Sequence, residues 1–342
     1  MQNKKQIISN IIIFILLSII TFIIIFKNYD FNHTIKTILS TDIRYFSLAV
    51  TIMFLYIVFE SIDIRNIIKS LGNNISLFKA IKYTFIGFFF SGITPGGSGG
   101  QPMEIYYMKK DNIPVVNSTI TLLIHLISFH TITIICGLIG LIINMQLITK
   151  DLIWIFIIGL TLKIIVLLIM LIALFSKKLS NYLIKIIIKI LNIFKYKNLT
   201  KLETTLNKSL MNYHESAIYI KEHKNIFLKS LLIVFVQVIM YYSITYFIYL
   251  SFGLNTHNYL KIITIQALIL VSTSSIPLPG AVGISENVFL KIYASIFPVS
   301  VLPSAMLLNR CLSFYLFIII SFIVVIFSSF KKKNNQLPNN ML

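Results

Sequence analysis

The apolar runs constrain this chain more than any other feature. Six segments, 7–26, 45–64, 119–147, 152–175, 227–252 and 303–329, are each long enough to cross a bilayer as a helix, a crossing that takes ~18 apolar residues or more. Hydrophobic residues make up 57% of the 342 positions and charged residues 12%, against about a quarter charged in an average soluble domain. A soluble enzyme, a nucleic-acid-binding module and a disordered tail are excluded. The expected fold is an all-α polytopic membrane protein, one integral membrane domain over 1–342. The run after Lys4 and Lys5 spans the bilayer by length and has no small-residue cleavage site behind it, so it reads as a first span and not a removed signal. Cys136 and Cys311 lie in apolar stretches without ligand spacing and read as packing residues. Neither a disulfide nor a metal site is expected.

Two further apolar segments, 75–93 and 260–278, each run into a Pro/Gly cluster and a short amphipathic stretch. Lysine placement decides how they thread. The stretch 177–229 carries eleven Lys against three Glu, which places it on the cytoplasmic side. Lys4 and Lys5, the group Arg65, Lys69, Lys79 and Lys82, the pair Lys109 and Lys110, and the triplet Lys331–Lys333 should face the same way. Full crossings at 75–93 and 260–278 would put several of these clusters outside. Six full spans plus two re-entrant hairpins, 75–108 from inside and 260–297 from outside, satisfy all of them, with both termini cytoplasmic. The basic loop 176–226 would hold an interfacial helix at 179–195, where Lys185 and Lys189 share one face. The net charge of +19 then reads as anchoring against anionic lipid head groups.

The clusters align with each other. Pro95-Gly96-Gly97-Ser98-Gly99 sits over Pro279-Gly280-Ala281-Val282-Gly283, and the same offset places 45–64 over 229–248 and 119–147 over 303–331. The expected repeat unit is span, hairpin, span, once in 45–147 and once, inverted, in 229–330. Broken helices meeting near the midplane of inverted repeats are a transporter architecture.

Irregular backbone at membrane depth is tolerated where it is buried in protein or lines a cavity. The glycines of 94–100 let a ligand approach the backbone. The helix opening near Gln101 would turn free N–H groups toward an anion such as a lipid phosphate, with the Thr94 and Ser98 hydroxyls as added donors. The alternative is a plain turn whose glycines serve packing. Charges inside apolar segments are candidates by default because of their cost in lipid: Glu60, Asp63, Glu104, Lys163, Glu286, Lys291 and Arg310. Arg310 is one of three arginines and sits inside a span. Its guanidinium suits phosphate, or an ion pair with Glu286 or Glu104 that locks a hairpin. Glu286 and Glu104 read either as helix-start stabilisers or as head-group and gating carboxylates. Glu60 and Asp63 read as interfacial partners of Arg65 or Lys69, His125 and His130 as core histidines, Lys163 as a snorkelling lysine and Trp154 as an interfacial anchor.

These motifs, S-G-I-T-P-G-G-S-G-G-Q-P at 91–102 and P-L-P-G-A-V-G-I-S-E at 277–286 followed by Ala305 and Arg310, resemble the membrane region of the lysylphosphatidylglycerol synthase family, over about 5–330. Gln101 and Glu104 depart from the acid and base usual there, and His125 stands about where the family carries an Arg. The resemblance implies a flippase of aminoacylated phosphatidylglycerol. Full-length members add a C-terminal transferase domain; the sequence closes at Leu342 without one, so translocation is expected and synthesis by this chain alone is not.

The expected function is phospholipid flipping in the bacterial cytoplasmic membrane, with no catalytic residue, cofactor or metal. The lipid phosphate would meet Thr94, Gly96, Gly97, Ser98, Gly99, Gly100, Gly280, Gly283 and Arg310. Gln101, Glu104, His125 and Glu286 would face the head group or gate it. Two alternatives stand beside it: a carrier of polyprenyl-phosphate or another phosphate lipid, and a membrane subunit docking a separately encoded transferase. The expected partners are membrane phospholipid, such a transferase, or a second copy in a homo-oligomer; nucleic acid is not one.

Overall fold

A computed structural model describes residues 4–27, 29–147, 150–175, 218–219, 221–274 and 276–330. Among them no strand occurs, and the chain is a succession of helices. They are α1 (Lys4–Phe26), α2 (Phe31–Leu39), α3 (Ile43–Ser70), α4 (Leu77–Ile93), α5 (Gly100–Lys110), α6 (Val115–Ile143) and α7 (Lys150–Phe175). After the basic loop come α8 (Lys224–Ser251), α9 (Tyr259–Thr273), α10 (Ile284–Tyr293), α11 (Leu302–Arg310) and α12 (Leu316–Phe330). A π turn, Cys311–Tyr315, joins the last two into one long rod. Among the described residues five stretches are long and apolar enough to cross a membrane: Ile43–Ser70, Val115–Ile143, Leu152–Ile172, Lys224–Ser251 and Leu302–Ser329. The sixth expected span, α1, has its apolar stretch at Ser9–Ile24. The expected interfacial helix at 179–195 and the Lys331–Lys333 triplet lie outside the described residues.

Large apolar side chains point outward from these rods. Ile158, Leu168 and Ile169 of α7 and Leu232 of α8 are exposed, while the molecule's centre holds Tyr83, Tyr242, Tyr249, Tyr293 and Phe317. An apolar surface of this extent is stable only where lipid takes the place of water. The chain is a multi-pass membrane protein.

Both expected hairpins are present as helix, break, helix. Ser76 caps α4 and Asn258 caps α9, each accepting a backbone N–H three residues on. α4 ends at Ile93, two residues before Pro95, which has no N–H to continue the ladder, while α9 ends at Thr273, six residues ahead of the corresponding Pro279. The residue after each proline turns the chain the same way in both, at φ +58° for Gly96 and for Gly280. α3 and α8 pack antiparallel: the Asp42 N–H donates to the Ser251 carbonyl at one end (2.8 Å), and Ser230 donates to Asp63 toward the other (2.9 Å). The first arm of each hairpin crosses over, α4 against α12 and α9 against α6, and the two breaks touch.

The first hairpin is tied at its open end. The Asp111 carboxylate, beyond α5, accepts from Lys82 Nζ and Tyr83 OH of α4, both at 2.5 Å. Burial works against its charge, but the Lys82 and Tyr83 hydrogen bonds outweigh burial and hold the Asp111 carboxyl below its ordinary value. A depressed folded value means a contribution present above the usual aspartate range (about 3.9) and lost as pH falls through the folded one. Asp111→Asn should therefore cost about 1 kcal/mol at neutral pH. Melting curves of the two proteins should converge on acidification, and a gap that persists in acid would contradict the tie.

Candidate functional site

The site forms where the two breaks meet. A Cβ built on Gly96 would lie 3.9 Å from the Pro277 Cα, so the two turns pass backbone to backbone. Beside them is a cavity of about 260 Å³ lined by Gly96 and Gly97 from the first break and by Leu278, Gly280 and Ala281 from the second. Its polar wall includes Ser91, Ser285, Asn309, Arg310 and Ser313, and Tyr56 and Tyr241 close one side with rings 5.5 Å apart.

Arg310 ends α11 just before the π turn. Such i→i+5 bulges occur frequently at functional sites. Its Nε donates to Glu286 Oε1 at 2.7 Å and its Nη2 to the Gly280 carbonyl at 2.9 Å. The guanidinium stacks on Phe314, 4.6 Å from the ring centre. A guanidinium carries five N–H donors; among the described residues the protein engages two. Glu286 is held from its other oxygen as well, by the Gly283 N–H (2.7 Å) and the Ser285 hydroxyl (3.0 Å). It thus caps α10 and pairs with Arg310 at once, and Glu104 is not the arginine's partner.

Arg310 and Glu286 also border a second cavity of about 420 Å³, between α1 and the α11 rod. Ile19, Phe22, Met306, Leu307 and Tyr315 line it, with Ser18 and Thr21. One guanidinium therefore stands between a mixed chamber with a polar wall and an almost wholly apolar one.

The other residues expected at the phosphate separate into two sets. Gly96, Gly97, Gly280 and Arg310 line the polar cavity; Thr94, Ser98, Gly99, Gly100 and Gly283 do not. The buried Thr94 hydroxyl donates to the Phe90 carbonyl (2.6 Å) and accepts the Gly99 N–H (2.8 Å). The Gly97 and Ser98 N–H groups close turns onto Thr94 and Pro95 carbonyls. The Thr94 hydroxyl and the Gly97, Ser98 and Gly99 N–H groups are thus engaged inside the turn, and Ser98 faces outward. Gly100 is a packing glycine, since a Cβ there would lie 2.0 Å from Ser91 Oγ and 2.9 Å from the Gly87 carbonyl.

Gln101, Glu104 and His125 also lie off that cavity. Glu104 is buried against Gly87, whose missing side chain leaves room for the carboxyl. Glu60 and Asp63 correct the interfacial reading: neither pairs with Arg65 or Lys69. Asp63 accepts from Ser230 (2.9 Å) and meets His125 Nδ1 at 2.8 Å, while Glu60 accepts from Gln237 (3.0 Å). Arg65 donates instead to the Ile75 carbonyl. Lys163 does not snorkel; it is 1% exposed and donates to Thr133 at 3.2 Å. These residues face inward because α3 is central and α8 and α6 cover its polar side. The available signal was Ser230 and Gln237, two turns apart on one face of an otherwise apolar span.

Residues 7–321 match the profile of a family described as the lysylphosphatidylglycerol synthase TM region. Over 80 residues the chain is 30% identical to a UPF0104 membrane protein of Pyrococcus horikoshii, covering 23% of this chain and 24% of that relative. The aligned stretch thus spans about a quarter of the relative's length. The family match covers the hairpins, both breaks and Arg310. The chain belongs to the lysylphosphatidylglycerol synthase transmembrane-region family, a family of membrane proteins in lipid-related processes.

Proposed function

We propose that this chain translocates a phospholipid, in the family context aminoacylated phosphatidylglycerol, across the bacterial cytoplasmic membrane. The observation that carries the reading is Arg310, set between a cavity with a polar wall and an almost wholly apolar one, with N–H donors to spare. A lipid phosphate takes those donors while its head group occupies the polar side and its acyl chains the apolar side. The match between guanidinium and phosphate oxygens makes arginine the suitable cation. As phosphate binds, it competes with Glu286 for the guanidinium. Glu286 can yield because Gly283 and Ser285 still satisfy its other oxygen. The two helix–break–helix units, inverted with both termini on the cytoplasmic side, then act as the halves that rock about the site.

The test is reconstitution in liposomes holding a fluorescent phosphatidylglycerol, with dithionite as the outer-leaflet quencher. Purified protein is expected to make the inner-leaflet half of the label accessible within minutes. Label that stays protected, as in protein-free vesicles, would contradict the proposal.

A further inference from the structure

A second polar cluster lies between the two halves of the molecule, and the lipid pathway does not use it. Three carboxyls, Glu60 and Asp63 of α3 and Glu104 of α5, are placed with His125 of α6 and Gln237 and Ser230 of α8. Asp63 and Glu104 are 1% and 5% exposed. Asp63 Oδ2 meets His125 Nδ1 and the Ser230 hydroxyl, and Ser230 continues to Ser128 at 2.9 Å. Glu60 Oε2 takes the Gln237 amide. Among the described residues, Asp63 Oδ1, Glu104 Oε2 and Gln237 Oε1 are buried without any hydrogen-bond partner.

Among the described residues the surrounding charges do not balance the three acids. From α6 come His125 and His130, and from α7 comes Lys163, whose ammonium is bonded to Thr133 and acts on His130. Glu104 feels Glu60, Glu60 feels His125, and Tyr56, Tyr241, Tyr242 and Cys136 are further ionisable groups packed there among the described residues. Three ionised carboxylates against one imidazolium and the Lys163 ammonium would still leave net negative charge at membrane depth. An uncompensated buried charge of that kind is neutralised by taking up a proton. Among the described residues no group of three or more His, Cys, Asp or Glu is disposed to hold a metal ion.

We infer that Glu60, Asp63, Glu104 and His125 form a proton-binding site that couples lipid movement to the proton gradient. The inference rests on the translocation reading. The physical link is short: Tyr56 and Tyr241 stand between Glu60 and Arg310 and also wall the polar cavity. Asp63, His125 and Ser230 bridge α3, α6 and α8, so a change in their charge alters the contact between the two halves. The contacts that cross from the first half to the second are Ser230 to Asp63 and Gln237 to Glu60, and a change in the charge of the cluster acts on them.

The test measures labelled phosphatidylglycerol translocation by the full chain in proteoliposomes, with and without a pH difference imposed in either polarity. The readout is the ratio of the two rates. For wild type the ratio is expected to depart from one, by up to about tenfold for one pH unit, the change in proton activity. In Asp63→Asn it is expected to return to one. Glu104→Gln, whose buried oxygen has no partner to lose, serves as second variant should the first elute as aggregate. A wild-type ratio of one with lipid still moving overturns the coupling and leaves translocation standing. A ratio that persists in both variants overturns the assignment to these residues. No lipid movement in any condition overturns the translocation reading and the coupling with it.

Discussion

Arg310→Ala is expected to abolish translocation and to destabilise the fold by about 3–5 kcal/mol, the cost of breaking a buried pair from one side. The Glu286 carboxylate, 3% exposed, loses its only cationic partner among the described residues. It keeps the Gly283 and Ser285 bonds, which limits the loss but does not neutralise the charge. The Gly280 carbonyl loses its donor too, so the second break loosens beside the first. Arg310→Lys separates charge from shape. A lysine retains the positive charge, but a single ammonium cannot reproduce the flat fork that reaches Glu286 and Gly280 and stacks on Phe314. It should restore much of the stability and little of the transport. Thermal unfolding in detergent and the dithionite assay read the two effects independently.

Gly280→Ala should cost about 2–4 kcal/mol, from strained backbone and overpacking together. At φ +58° a side chain is disfavoured, and a Cβ would stand 2.2 Å from the tip of the Phe314 ring. The strain is the smaller part, because neighbouring Ala281 already adopts φ +51°. The ring collision decides the outcome, since Phe314 supports the Arg310 guanidinium and cannot swing aside without moving it. Gly72→Ala is the control. Its φ of +81° is equally left-handed, yet nothing lies within 4 Å of the added Cβ, so it should cost only about 1 kcal/mol. Equal losses at the two positions would show that Phe314 does not press on the break.

The hairpins and the Glu286–Arg310 pair were legible in the sequence for local reasons. Pro95 stops the first arm, Gly96 and Gly280 each follow a proline and turn the chain, and one arginine in a lysine-rich chain stands out. Legibility failed where partners came from distant helices. Asp63 is 62 residues from His125 and 167 from Ser230, and Glu60 is 177 from Gln237. Nothing local distinguishes an acid turned toward a neighbouring span from one turned toward the interface, so Arg65 and Lys69 looked like partners by proximity alone. Lys163 misled in the same way: at the middle of α7 it could reach either lipid or protein, and the Thr133 hydroxyl that receives it lies on another helix. Around the glycines part of the expected donor set is engaged locally, because Thr94 and the tight turns take the Gly97, Ser98 and Gly99 N–H groups.

The central claim is that Arg310 serves a lipid phosphate and is more than a lock on the second hairpin. The double variant Arg310→Met with Glu286→Gln tests it most directly, because removing both charges of a buried pair is often neutral or stabilising. Its melting temperature is expected to recover to near wild type while translocation of labelled phosphatidylglycerol stays at the protein-free rate. A double variant that translocates as fast as wild type would reduce the pair to a structural lock and contradict the proposal.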